Sequence, residues 1–263
     1  MKKDGKAENC RLLLFDLDGT LLRSDKTISP RTARALEKCR KRGVMLGICT
    51  SRARQNAMFF IKQLQPDVFI ASGGAVAKYK DEYVCRLEFS REETGRVIAE
   101  ARRICGDDCK ITVDTMDAQY WSHGMDSDGQ DKSWSKGIYT DFSDFEENAL
   151  KICVDPSDEI QAGRLREALS EYDCVRFSDG GWYKFTRKEA TKEHAIRKIC
   201  AMCKIQLEEV IAFGDDYVDI GMLEVCGKGV AMGNAVEAVK EHADVVIGGN
   251  DEEGIAKYLE EMF

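Results

Sequence analysis

The apolar run at residues 12–15 ends abruptly in two carboxylates, Asp16-Leu17-Asp18-Gly19-Thr20, and this junction limits the fold more than any other stretch. Four consecutive apolar residues stopped by a turn signal read as a strand buried on both faces, which needs cover above and below. In extended chain the side chains at i and i+2 project to the same side, so Asp16 and Asp18 converge where the strand ends. Such a pair repels itself. It persists where a hard cation takes oxygen ligands, or where one group serves as nucleophile and the other as acid. The pattern Asp-x-Asp-Gly-Thr arises by accident in about 0.2% of chains of this length, which sets aside a plain solvated acidic turn.

The rest of the chain supplies the cover. Ser29-Pro30 is an N-cap with a first-turn proline, and Ala33, Leu36 and Cys39 follow at helical spacing until Gly43. Residues 44–49 read as a second strand, followed by Thr50-Ser51-Arg52 and a helix to about Leu64 that Pro66 ends. Residues 68–70 give a third strand, and Ala71-Ser72-Gly73-Gly74 a flexible turn. From Thr191 the alternation resumes: a helix to Cys203, a strand at 210–213, a short helix, strands at 229–232 and 245–247 around a helix at 235–241, and a last helix from Asp251. Strands alternating with helices through short loops predict an α/β fold, a doubly wound Rossmann-like parallel sheet.

Between these halves the rhythm changes. Ser90-Arg91-Glu92-Glu93 is a capping box opening a helix to about Cys105, and residues 110–114 read as a strand. Residues 116–144 show no period, a helix covers 157–171, and strands at 174–177 and 182–185 flank Ser178-Asp179-Gly180-Gly181 as a hairpin. This composition predicts an inserted α+β cap at 86–188, with residues 1–85 and 189–263 forming the core.

Composition excludes several function classes. A net charge of −8 argues against a nucleic-acid surface, and the basic cluster Lys38, Arg40, Lys41 and Arg42 reads as a helix terminus. The first eight residues are polar and lack the apolar core of a signal peptide, and no run is long enough to span a membrane. A cytoplasmic location is therefore expected. Eleven cysteines, an odd number without a secretion signal, are not a disulfide framework, and Cys200-Ala201-Met202-Cys203 reads as buried small hydrophobes within a helix. His123, His194 and His242 fall in no metal spacing.

Ligands of an open α/β sheet bind beyond the carboxyl ends of its strands. Asp16 and Asp18, Thr50 and Ser51, Lys192, and Asp215 with Asp219 all fall at or near that edge. An all-oxygen set without His or Cys suits Mg²⁺, and a lysine and a threonine hydroxyl beside backbone N–H groups suit a phosphate. A site with both, and a free carboxylate, is equipped for phosphoryl transfer to that carboxylate. Arg52 and Arg54 point either to a substrate anion or to a helix surface. Gly73-Gly74 is either a plain turn or a place for close backbone approach. Trp121, His123, Asp126 and Trp134 are candidates for the face that the cap turns toward the site.

In order, Phe15-Asp16-Leu17-Asp18-Gly19-Thr20-Leu21, Thr50-Ser51-Arg52, Lys192 and Gly214-Asp215-Asp216-Tyr217-Val218-Asp219 resemble the four motifs of the haloacid dehalogenase superfamily of phosphatases. Gly229-Val230-Ala231-Met232-Gly233-Asn234-Ala235, with the position of the insertion, is similar to its Cof-type branch, which carries a type IIB cap. The likeness spans residues 11–259. It implies Asp16 as the nucleophile that becomes an aspartyl phosphate, and Asp18 as the acid for the leaving oxygen and then the base for water. It also implies Mg²⁺ held by Asp16, the Asp18 carbonyl and Asp215. Backbone N–H groups of Leu17 and Ser51, the Thr50 hydroxyl and Lys192 would hold the phosphate, with Asp219 and Asn234 standing behind them. The chain departs from the pattern at Ser51 and Glu193, where the family usually has Gly, and at Val218, where it commonly has an Asn that touches the phosphate. The implied function is hydrolysis of a small phosphorylated metabolite such as a sugar phosphate. The alternatives are a phosphomannomutase-like phosphosugar mutase and a phospho-ligand-binding regulator without turnover.

Overall fold

The computed structural model describes residues 9–124, 137–178 and 180–263. The chain begins with β1 (Leu12–Phe15), α1 (Pro30–Lys41), β2 (Met45–Cys49), α2 (Arg54–Leu64), β3 (Val68–Ala71), β4 (Val76–Tyr79) and β5 (Glu82–Arg86). An inserted segment follows, with α3 (Arg91–Cys105), β6 (Lys110–Asp114), β7 (Gln119–Trp121), β8 (Ile138–Tyr139), β9 (Lys151–Asp155), α4 (Glu159–Ala168), β10 (Asp173–Arg176) and β11 (Tyr183–Thr186). The chain then returns through α5 (Lys192–Cys203), β12 (Val210–Gly214), α6 (Ile220–Val225), β13 (Lys228–Ala231), α7 (Glu237–His242), β14 (Val245–Val246) and α8 (Gly254–Met262).

The larger sheet runs β14-β13-β12-β1-β2-β3-β4-β5. From β14 to β3 the strands are parallel, and β4 and β5 fold back as an antiparallel margin. β1 lies at its centre, and its period of two feeds both faces. Leu13 and Phe15 pack with Leu36, Phe60 and Leu259 of α1, α2 and α8, while Leu12 and Leu14 pack with Ile196, Leu223 and Val239 of α5, α6 and α7. Each such leucine stabilises the fold by about 1.5–3 kcal/mol, so a polar residue at any of the four positions would undermine one layer. The doubly wound core read from the sequence is the fold observed.

The inserted segment forms a second sheet, β10-β11-β9-β6-β7-β8, antiparallel except for the β7–β8 pair. Ile111, Val113, Ile152, Val154, Tyr183 and Phe185 point to α3 and α4 and make an apolar layer. The alternate residues Thr112, Asp114, Lys151, Cys153 and Lys184 take the opposite face, and all five are buried. Charged groups stay buried there because Lys151 pairs with Asp114 and Lys184 with Asp173, while Ser51 and Ser72 of the core loops bond to the first pair.

Several elements differ from the sequence reading. The β4–β5 hairpin and β9 are unanticipated, and β7 and β8 lie inside the stretch that shows no period. The helix expected at 157–171 is shorter, Glu159–Ala168, with Asp158 as its N-cap. Residues 71–74 are buried rather than a flexible turn, with Ser72, Gly73 and Gly74 at φ of 48°, 71° and 109°. Asp126 and Trp134 lie outside the described residues. No helix among the described residues is long and apolar enough to cross a membrane.

Candidate active site

β1, β2 and β12 end in register, with Phe15 beside both Phe213 and Ile48. The chain leaves β1 toward β2 on one side, and β12 toward β13 on the other, which opens a crevice at the carboxyl edge. The Asp16 N–H donates to the Phe213 carbonyl at 3.0 Å, so the first carboxylate is fixed by the sheet itself. The chain then turns tightly through Asp18 and Gly19, closed by Leu21 N–H to Asp16 O and Leu22 N–H to Leu17 O. Gly19 has a φ of +72°, and a Cβ there would stand 2.2 Å from Asp215 Oδ2, so only glycine admits Asp215. The Thr20 hydroxyl donates to Asp215 Oδ1 at 2.5 Å, and Asn234 Nδ2 holds the Gly19 carbonyl at 2.8 Å.

Lys192 opens α5 behind its N-cap Thr191, and its side chain is only 1% exposed. A Cβ on Gly74 would lie 2.2 Å from the Thr191 carbonyl, so the buried turn after β3 lets α5 approach closely enough to deliver this lysine. Lys192 Nζ donates to Asp16 Oδ1 at 2.6 Å and to Asp219 Oδ1 at 2.5 Å. Asp219 Oδ2 accepts from the N–H groups of Asp215 and Asp216 at 3.0 and 3.1 Å. Both Asp219 oxygens are therefore engaged, and it braces the lysine and the loop.

Asp16, Asp215 and Asp219 bring carboxylate oxygens within 4.8 Å of one another. Burial lowers the stability of the Lys192 ammonium, yet Asp16 and Asp219 overcome this and keep it protonated. Burial, then the neighbouring Asp219 charge, pushes the Asp215 carboxyl up to about 8. Three carboxylates thus face one ammonium in a buried place. Asp16 Oδ2 and Asp215 Oδ2 accept from no described residue, so two oxygens remain for a hard cation, and the donor set fits Mg²⁺.

The Asp18 side chain turns away from this cluster. It accepts from Arg52 Nε at 2.6 Å and Nη2 at 2.7 Å, and from Lys26 at 2.8 Å. Burial alone would raise its carboxyl, but Arg52 and then Lys26 hold it below the usual value. Arg52 is buried beside Asp18 and does not lie on a helix surface. The Thr50 oxygen accepts from Arg52 N–H at 3.1 Å, leaving its own hydroxyl hydrogen to donate. No described group accepts from the N–H of Leu17 or Ser51. Neither Ser51 nor Glu193 has a positive φ, so the missing glycines cost no backbone strain. Val218 is half-buried in the turn between Asp215 and Asp219.

A cap network that the sequence reading missed reaches this site. Lys151 Nζ donates to the Ser51 carbonyl at 2.6 Å and pairs with Asp114 at 2.9 Å. Asp114 accepts from Ser72 at 3.1 Å and from Gln119 at 2.9 Å, and Gln119 accepts from Asn56 of α2 at 2.7 Å. The available signal was alternation: Lys151 and Cys153 against Ile152 and Val154. Of the cap aromatics, His123 lies between Trp121 and Trp182, with ring centroids 5.2 and 5.6 Å away and the rings tilted by 38° in each pair. His194 and His242 join no metal cluster among the described residues, and Cys200 lies buried in α5. The Cys49 thiol is fully buried and strongly raised by that burial, which disfavours the reactive thiolate.

Comparisons with known proteins fit this geometry. A family profile described as haloacid dehalogenase-like hydrolase matches residues 13–259. A putative phosphatase of Haemophilus influenzae is 29% identical, over 96% of this chain and 98% of its own length. The pyridoxal phosphate phosphatase YbhA of Escherichia coli is 27% identical, over 95% of this chain and 97% of its own. The solved structure of the subclass IIB sugar phosphatase BT4131 superposes with a TM-score of 0.82 at 24% identity, covering 95% of this chain and 98% of that one. Motif order, fold and profile agree, and the chain belongs to the haloacid dehalogenase-like hydrolases as a Cof-type phosphatase.

Proposed function

We propose that this phosphatase hydrolyses a small phosphomonoester through an aspartyl phosphate on Asp16, with Mg²⁺ as its cofactor. The observation that carries the reading is Asp16 itself, fixed by the sheet and paired with Lys192. Asp16, the Asp18 carbonyl and Asp215 would hold the ion, which when bound neutralises the crowded carboxylates and the phosphate charge. Leu17 and Ser51 N–H groups, the Thr50 hydroxyl and Lys192 orient the phosphoryl group. An Asp16 oxygen attacks phosphorus, the bond to the leaving oxygen breaks, and that oxygen takes a proton from Asp18. Water then attacks the same phosphorus, Asp18 accepts its proton, and the Asp16–phosphorus bond breaks to release inorganic phosphate.

The Asp18 pairs suit the second half of this cycle, since Arg52 and Lys26 favour the carboxylate that accepts a proton. For the first half Asp18 must turn from them. The relative named for pyridoxal phosphate and the neighbour named as a sugar phosphatase support a small phosphorylated metabolite as substrate. The test is phosphate release over a panel of phosphorylated metabolites and p-nitrophenyl phosphate. We expect turnover with Mg²⁺ and none from Asp16→Asn; activity in that variant would overturn the mechanism. Isomerised product in place of free phosphate would favour a mutase instead.

A further inference from the structure

Lys184 lies on β11 in the face of the cap sheet that turns toward the core. Its neighbours Tyr183 and Phe185 enter the cap's apolar layer, so alternation puts Lys184 on the other side. In register beside it stand Cys153 on β9, then Thr112 on β6 and Trp121 on β7. A Cβ built on Gly73 would lie 3.2 Å from Lys184 Nζ, so the ammonium rests against the turn after β3. The Gly73 N–H in that turn donates to the Thr50 carbonyl at 3.1 Å. A cap cation therefore stands one residue's breadth from the loop that carries Thr50.

This ammonium is short of partners. Its side chain is 4% exposed, and its ion-pair partner is Asp173 Oδ2 at 3.2 Å, a group that is itself 27% exposed. No hydrogen bond joins Lys184 to any described residue. The other buried lysine of the face, Lys151, is satisfied by both the Ser51 carbonyl and Asp114. An ammonium carries three donors, and the one ion pair with Asp173 leaves donors over for an oxygen that a ligand supplies. The nearest register neighbours, Cys153 and Thr112, bring no competing carboxylate.

We propose that Lys184 forms a second subsite that binds an anionic group, a carboxylate or a second phosphate, on the leaving part of the substrate. The inference rests on the phosphatase reading and adds a substrate class to it: phosphomonoesters with a second negative charge. The test compares kcat/KM with Mg²⁺ in two matched pairs, glycerol phosphate against phosphoglycerate, and a hexose monophosphate against the corresponding bisphosphate. The wild type should prefer the more anionic member of at least one pair, chiefly through KM, and which pair does so identifies the anion. In Lys184→Met that preference ratio should fall about ten- to a hundred-fold, the loss expected for a hydrogen bond to a charged group, while Lys184→Arg should retain most of it. No preference in the wild type, or a ratio unmoved by Lys184→Met, would overturn the subsite and leave the phosphatase standing. No turnover of any substrate, p-nitrophenyl phosphate included, would overturn the phosphatase reading and the subsite with it.

Discussion

Gly19 is held at a φ of +72° with Asp215 filling the place of a Cβ, so its identity is fixed by its neighbour as well as by its own backbone. Gly19→Ala should leave the protein folded, costing about 1 kcal/mol for the left-handed conformation, yet lower kcat severely by displacing Asp215. Circular dichroism with steady-state kinetics checks this, and a variant with native kcat would refute the close approach. Val218, half-buried between Asp215 and Asp219, is a position of the opposite kind. Val218→Asn should improve KM by roughly ten-fold if the amide reaches the phosphate, given what hydrogen bonds to charged groups are worth. An unchanged KM and kcat would show that Val218 costs the enzyme nothing. At this scale the meeting of Asp16, Lys192, Asp215 and Asp219 at one edge was legible, because each falls at or near the carboxyl end of a buried strand or at the start of the helix beside it. The Arg52 pairing with Asp18 was not, since 34 positions separate the partners and nothing local announces the bond.

The elements of the core were legible where burial on both faces gives unbroken apolar runs, as in β1 and β12. β5 was not, because an exposed margin strand, Glu82 to Arg86, carries little alternation. β9 was hidden for the opposite reason. Its Lys151 is a charged residue buried on the face that meets the core, so a reading that equates burial with apolarity passes over it. That lysine is a positioning residue: it holds the Ser51 peptide by its carbonyl while Asp114 holds Ser72. Lys151→Met leaves Asp114 buried without its charge partner and should cost about 3–5 kcal/mol of stability. The pair Lys151→Met with Asp114→Leu should recover part of that loss while kcat stays low, because the Ser51 carbonyl still lacks its donor. Denaturant unfolding and kinetics on the three variants separate the two effects; full recovery of kcat in the pair would show that Lys151 serves only the fold.

In the whole molecule one face of the cap sheet presents charged residues to the loops at the carboxyl edge of the core sheet. The cap rests on the core at Ser51, Asn56 and Ser72, and again where the Ser178 N–H meets Asp216. In the proposed mechanism such closure would exclude water from the first transfer and would have to loosen to admit it for the second. The carboxylate crowd at the edge of the core predicts metal-linked stability. Mg²⁺ at about 100 times its Kd should stabilise the fold by about 2.7 kcal/mol, seen as a rise in Tm. Asp215→Asn should remove that rise without lowering the metal-free Tm. A rise that persists in the variant would place the ion elsewhere.

The central claim, that Asp16 carries the phosphoryl group, is tested most directly by acid-quenched mass spectrometry of the Asp18→Asn variant turning over p-nitrophenyl phosphate with Mg²⁺. Nitrophenolate leaves without needing a proton, so the first transfer should proceed while the second, deprived of its base, stalls. The account predicts phosphate accumulating on the peptide that contains Asp16, and none in Asp16→Asn/Asp18→Asn. Phosphate on another residue, or a wild type that turns over while the variant never acquires a covalent phosphate, would contradict it.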